Sequence, residues 1–186
     1  MIKHPDQRVG VFVDVANMYH SAKNLYQARV QFDQVLTAAV AGRKLIRAIA
    51  YVIRSASEEE MSFFEALNKQ GFEVKQKDLQ IFFSGEKKAD WDVGIAIDAI
   101  KMADRLDTVI LVSGDGDYVP LVKYLQENKG CLVEIYAFGE TTSARLIEAA
   151  DDFYDLSKNK NKFLMRRSRS LIKKIKETSW SMTYDK

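Results

Sequence analysis

Acidic residues follow two of the valine-rich runs in this sequence. Asp14 ends the run from Arg8 to Asp14, and Asp115 and Asp117 follow the run from Thr108 to Val112. Each has a simple local explanation, since Asp14 could cap a helix and the other two could serve a turn. In open parallel sheets, however, ligands bind beyond the carboxyl ends of the strands. Acids at these positions are therefore candidates for a functional site.

A fourth acid, Asp92, opens a segment with helical spacing, where the helix dipole favours an acid in the first turn. Gly114 and Gly116 predict a tight turn that brings Asp115 and Asp117 close together. Four carboxylates at one sheet edge repel one another unless a cation neutralises them. Because an all-oxygen site suits Mg²⁺ or Mn²⁺, we expect the four acids to bind one of these ions. Such an ion can polarise a phosphoryl oxygen and activate water, as hydrolysis of a phosphodiester requires.

Other polar residues near these acids are candidates for supporting roles. Asn17 and Ser113 could each hold a water molecule or a phosphate oxygen, although Ser113 could also simply end a strand. Asp98 lies six residues after Asp92, which is about 240° around a helix, so we expect it to support the site from outside or to serve the structure. Lys88 could contact a phosphate as a point charge, and the alternative is an exposed loop lysine.

Strand and helix patterns alternate along the chain and must position these residues. Apolar runs predict strands at 8–14, 45–53, 108–112 and 132–138, with a further strand at 72–77 and a hairpin return at 80–84. Helical spacing predicts a helix from a cap at Ser57 to a stop at Gly71, and others at 92–102 and 119–125. This alternation predicts an α/β domain with a parallel sheet and right-handed crossovers.

Length and composition are those of a globular protein. The chain has 186 residues, of which 47% are hydrophobic and 29% are charged, and this argues against disorder. No run approaches the roughly 18 apolar residues of a spanning helix, and the first residues carry no apolar signal core. We therefore expect a cytoplasmic protein without a membrane span. The single cysteine, Cys131, excludes a disulfide framework and a zinc site built from several cysteines.

The charge is unevenly distributed, which predicts a domain at 1–157 and a basic C-terminal tail at 158–186. The tail carries ten Lys and Arg against two acidic residues, whereas residues 1–157 have a net charge of −6. Four apolar residues of the tail would form one stripe on a partly helical segment: Leu164, Leu171, Ile172 and Ile175. This pattern fits a nucleic-acid arm, a helix that binds a protein partner or a second copy, or weak contact with a membrane surface. The candidate nucleic-acid contacts are Arg166, Arg167, Arg169, Lys173 and Lys174.

Three motifs in this order resemble the NYN domain family, and its LabA-like branch in particular. They run from Val13 to Asn17, from Lys88 to Asp98 and from Ser113 to Leu121. The resemblance implies a PIN-like (Rossmannoid) three-layer α/β/α sandwich with a mainly parallel central sheet. It also implies a metal-dependent ribonuclease in which the four acids bind the metal and Asn17 is the polar residue characteristic of the branch.

The leading hypothesis is therefore an endoribonuclease that uses Mg²⁺ or Mn²⁺ to hydrolyse RNA. The alternative is a catalytically silent module on the same fold that binds RNA or a protein. A phosphatase of the haloacid dehalogenase type ranks low, because the second aspartate of that motif is replaced by Ala16. No phosphate-binding loop of the Gly-x4-Gly-Lys-Ser/Thr type occurs.

Overall fold

The computed structural model describes residues 3–54, 58–78, 80, 81, 87, 88 and 90–165, with the backbone alone at 58, 59, 80, 81, 87 and 88. The strands are β1 (Arg8–Asp14), β2 (Arg29–Val30), β3 (Lys44–Arg54), β4 (Glu73–Asp78), β5 (Gln80–Ile81), β6 (Lys87–Lys88), β7 (Thr108–Val112), β8 (Leu132–Ala137), β9 (Asp152–Asp155) and β10 (Leu164–Met165). The helices are α1 (Val15–Tyr26), α2 (Phe32–Val40), α3 (Glu58–Lys69), α4 (Asp92–Ala103), α5 (Val119–Lys129), α6 (Ala144–Ala149) and α7 (Lys160–Phe163).

Six strands form one parallel sheet in the order β4-β3-β1-β7-β8-β9. The chain passes from β1 to β3 on one side and later returns to β7 on the other side of β1. The strand order therefore reverses between β1 and β7. In parallel sheets the crevice at the carboxyl end of such a pair is where ligands bind.

Helices cover both faces of the sheet, because the residues of its strands point alternately to opposite sides. Val11 and Val13 of β1 pack in one apolar cluster with residues of α1, α2 and α3. Phe12 packs in the other cluster with residues of α4, α5 and α6. The predicted three-layer α/β/α fold is confirmed, and Asp14 follows the alternation of Phe12 toward the α4 side.

Most predicted elements are present, and the hairpin is the exception. The four predicted apolar runs are β1, β3, β7 and β8. The structure corrects the predicted hairpin, because β4 pairs in parallel with β3 and β5 pairs with β6. A parallel partner needs a crossover helix, which α3 provides. Gly71 follows α3 with a φ of +96°, whereas the predicted cap Ser57 lies outside the described residues.

Residues 158–165, the first part of the predicted tail, pack on the domain. Phe163 and Leu164 are buried, and β10 pairs with β2. Leu164 therefore lies in a strand instead of the predicted helical stripe. The rest of that stripe and the candidate contacts Arg166, Arg167, Arg169, Lys173 and Lys174 lie outside the described residues. Within the described ranges, no helix has the length and apolar character needed to cross a membrane.

Candidate active site

Asp14 lies at the carboxyl end of β1, where it also caps α1. Its Oδ1 accepts a hydrogen bond from the backbone N–H of Asn17 at 3.0 Å, and the residue is only 8% exposed. Burial is the main cause that raises the pKa of Asp14 to about 6, and the negative charges of Asp92 and Asp115 contribute to this rise. The local capping role is thus present, and it leaves a buried carboxylate close to other acids.

Asp92 and Tyr118 form the second part of the site. The Tyr118 hydroxyl donates a hydrogen bond to Oδ1 of Asp92 at 3.0 Å. Burial raises the pKa of Asp92, and the charges of Asp115 and Asp117 add to this rise. Tyr118 is buried, and burial together with the charges of Asp14, Asp92 and Asp115 raises the pKa of its hydroxyl. The phenol therefore lies among the acids.

The turn after β7 is fixed by short polar contacts. Oδ1 of Asp115 accepts from the backbone N–H of Asp117 at 3.0 Å. Ser113 Oγ accepts from the N–H of Asp115 at 3.2 Å, and Asn17 Oδ1 accepts from the N–H of Gly114 at 3.0 Å. Ser113 is buried. In this structure Asn17 and Ser113 therefore hold the turn that carries Asp115.

Gly114 and Gly116 are required for close approach, and neither has a positive φ. A Cβ at Gly114 would lie 3.1 Å from the Cα of Thr142, and one at Gly116 would lie 2.7 Å from Oγ of Ser143. The absence of these side chains lets the turn after β7 pack against the loop after β8. Between them lies an open groove of about 460 Å³. It is lined by Asn17, Gly114, Asp115, Gly116, Glu140, Thr141, Thr142 and Ser143.

The donor set at this edge matches a hard divalent cation in its chemistry, because it consists of carboxylate oxygens. None of the four acids forms an ion pair with a Lys or Arg within the described part of the chain. Their side chains do not converge as they stand, since no group of three potential ligands is found among the described residues. The acids fit a metal by type, and binding one would require their side chains to adjust.

Asp98 forms hydrogen bonds with Tyr51 and Lys75, which are not among the four acids of the site. Its Oδ2 accepts from the Tyr51 hydroxyl at 2.8 Å and from Nζ of Lys75 at 2.6 Å. Although burial acts to raise the pKa of Asp98, these two hydrogen bonds hold it below its usual value. Tyr51 of β3 is the register partner of Asp14, so its hydrogen bond connects Asp98 of α4 to the strand beside β1. The backbone of Lys88 lies in β6, and its side chain is outside the description.

Tyr118 and the loop Thr141–Ser143 are parts of the site for which no role was predicted from the sequence. Tyr118 lies inside the motif that contains Asp115 and Asp117, so its position next to these acids was the signal in the sequence. The loop follows the apolar run of β8, so the rule that selected Asp14 could have found it. The loop carries hydroxyl groups at Thr141, Thr142 and Ser143, whereas the predicted metal ligands at strand ends are all acidic.

Comparison with known proteins agrees with this architecture. The chain is 23% identical to the low amplitude and bright protein LabA of Synechococcus elongatus over 168 residues, which cover 81% of this chain and 84% of LabA. It is 34% identical in sequence to a protein of unknown function from Vibrio parahaemolyticus, and its fold matches the crystal structure of that protein with a TM-score of 0.80. That match covers 89% of this chain and all of the other. The model of the NYN domain matches residues 8–157, and the chain therefore belongs to the NYN domain family.

Proposed function

We propose that this protein is a metal-dependent endoribonuclease. The observation that carries the proposal is the gathering of Asp14, Asp92, Asp115 and Asp117 beside the reversal in strand order, without described cationic partners. Carboxylates that lie close together without a cation destabilise a folded protein. Their presence here therefore favours a function such as cation binding. The NYN family is generally related to nucleases, which supports the same conclusion.

The four acids would hold Mg²⁺ or Mn²⁺, and Asn17 and Ser113 would fix the turn that presents Asp115. When bound, such an ion supplies charge neutralisation and polarises a phosphoryl oxygen. Asp14 must be ionised to act as a ligand, and its pKa of about 6 places that ionisation just below neutral pH. The groove beside Asp115 is open and polar, as binding of a sugar–phosphate strand requires.

The test is cleavage of labelled single-stranded and hairpin RNAs with Mn²⁺, with Mg²⁺ and with EDTA. Asp14→Asn and Asp115→Asn are assayed in parallel, because each removes one carboxylate with little change in shape. The expected result is cleavage that depends on the metal and is lost in both variants. Cleavage that persists in both variants would show a contaminating nuclease and would leave the proposal without support.

The second candidate is a catalytically silent module that binds RNA or a protein. The observation that favours it is the lack of three converging ligands in the described part of the chain. The two functions differ in their response to metal, since a ligand that binds only the folded state raises its stability. Thermal stabilisation by Mn²⁺ that is lost in Asp115→Asn favours the nuclease, and no stabilisation favours the module.

We also propose that the basic tail adds affinity for RNA through Arg166, Arg167, Arg169, Lys173 and Lys174. Contacts of Lys and Arg with phosphates release counterions, so the contribution should weaken as salt rises and should not depend on sequence. Lys88, which precedes Asp92 in the same motif, is proposed as a further phosphate contact. Replacing the five tail residues by Gln should reduce the salt dependence of RNA binding.

A further inference from the structure

A strand of RNA that approaches the four acids meets a repulsive surface. A bound cation neutralises the carboxylates at the phosphate that it contacts, but neighbouring phosphates need cations supplied by the protein. A lysine or arginine for this purpose must lie near the acids and must not already be paired with a carboxylate. The following inference rests on the proposed function and concerns how the substrate is held.

Lys77 of β4 meets both conditions within the described residues. Its Nζ donates to the backbone carbonyl of Asp90 at 3.0 Å, two residues before Asp92. Its Nζ also lies 5.8 Å from the centre of the Trp91 ring. Neither partner carries a full negative charge, and Lys77 is partly exposed. By contrast, Arg54, Lys75 and Lys160 lie in ion pairs with Asp78, Asp98 and Glu140.

Trp91 gives Lys77 a fixed support. The indole Nε1 donates to the carbonyl of Val52 at 2.9 Å, and the ring packs edge-to-face with Tyr51 at 5.2 Å. The ring also covers Gly94 so closely that a Cβ there would lie 2.6 Å from its Cε3. These contacts on three sides hold the ring at the start of α4. A cation attracted to the face of a held ring keeps its position better than a lysine in free solvent.

We propose that Lys77 binds a phosphate of the RNA strand, next to the phosphate that is cleaved. In this arrangement the ammonium group is a point charge placed between β4 and the first turn of α4. It contributes to substrate binding in a manner independent of base sequence. It is distinct from Lys88 and from the tail, which the sequence suggested for contacts with nucleic acid.

The experiment measures RNA binding as a function of salt. A labelled oligouridine of roughly twelve nucleotides is titrated with the full wild-type chain in the presence of Ca²⁺, a hard cation that also takes oxygen ligands, and a gel checks that the RNA stays intact. Lys77→Gln should weaken binding about threefold at low salt. It should also reduce the slope of log K against log salt by about 0.7, the value for one contact with a single strand.

Two further variants make the result specific. Lys44→Gln removes an exposed lysine at the amino end of β3. The acids lie at the opposite, carboxyl ends of the strands, so this variant should leave the slope unchanged. Lys77→Arg keeps the charge and should restore the slope. Binding with the parental slope in Lys77→Gln would overturn this inference and leave the proposed function intact. If the wild-type chain neither binds nor cleaves RNA, the proposed function fails and the inference fails with it.

Discussion

Asp14 is a buried carboxylate whose pKa is raised from 3.8 to about 6. The folded protein therefore binds a proton at this group more tightly than the unfolded chain does. The stabilisation that this gives is complete below pH 4 and is lost as the pH rises through 6. Because Asn mimics the neutral carboxyl group and is also a good helix cap, Asp14→Asn should be more stable than wild type above pH 6.

The free energy of unfolding of Asp14→Asn should exceed that of wild type by about 2 to 3 kcal/mol at pH 8, since a shift of one pKa unit corresponds to 1.36 kcal/mol. Urea unfolding in EDTA at several values between pH 4 and pH 8 measures it. The difference between variant and wild type should grow with pH and level off above pH 7. A difference that stays constant across the range would mean that the environment of Asp14 is not as described.

Tyr118 should control how well Asp92 can serve as a metal ligand. Its hydroxyl is buried and donates to Asp92, so breaking this bond would leave a buried donor unsatisfied. The bond therefore restrains Asp92. Groups that hydrogen-bond to metal ligands typically change metal affinity 10-fold to 100-fold when removed. Tyr118→Phe should weaken Mn²⁺ binding about tenfold while the folded structure is retained.

Calorimetric titration with Mn²⁺ tests this expectation, and circular dichroism checks the fold. The matched control is Tyr124→Phe, which removes the hydroxyl of an exposed tyrosine on α5 and should not change the affinity. Equal affinities of Tyr118→Phe and wild type would show that Asp92 needs no such restraint.

The turn after β7 and the loop after β8 act as one unit, because Gly114 and Gly116 let them touch. The N–H of Ser143 donates to the carbonyl of Gly114 at 2.9 Å. A methyl group at Gly114 would meet backbone atoms of Thr141 and Thr142, whereas one at Gly116 would meet the side chain of Ser143. Oγ of Ser143 can rotate away and leaves only its Cβ at 3.0 Å, whereas the backbone of Thr141 and Thr142 would have to move.

Gly114→Ala should therefore lower the free energy of unfolding by about 1 to 3 kcal/mol, and Gly116→Ala should lower it less. Because the displaced turn carries Asp115, Gly114→Ala should also impair RNA cleavage under the proposed function. Urea unfolding and the cleavage assay measure the two effects. If Gly116→Ala were less stable than Gly114→Ala, the backbone of the loop after β8 would be shown to move freely.

Elements with a strong apolar pattern were predictable, and elements that depend on distant contacts were not. β1 and β7 are buried on both faces, which produces the unbroken valine-rich runs typical of parallel strands. The rule that ligands bind at strand ends then placed Asp14 and Asp115 on the same edge. Leu164 was assigned to a helix because its spacing from Leu171 fits one, yet its strand exists only through pairing with Val30.

On the scale of the whole molecule, contacts between residues far apart in the chain could not be predicted from the sequence either. Arg43 and Glu134 are types usually found at the surface. In the structure both are buried, and two nitrogens of the guanidinium bind the carboxylate at 2.6 and 2.9 Å. This pair joins the segment after α2 to β8, the strand next to the edge strand β9. A pattern of neighbouring residues carries no information about a partner 91 positions away.

The end of the folded domain gives the last prediction. Phe163 and Leu164 are buried in the core, and Gln31 donates its backbone N–H to the carbonyl of Phe163 at 2.8 Å. A chain that ends at Met165 keeps these contacts and should unfold within about 0.5 kcal/mol of the full chain. A chain that ends at Ser157 loses two apolar side chains from the core and should be less stable by about 3 to 5 kcal/mol. Urea unfolding of the two truncated chains, with Phe163→Ala in the full chain as a check, measures the difference. Equal losses in both truncations would place the stabilising contacts beyond Met165 and move the domain boundary further along the chain.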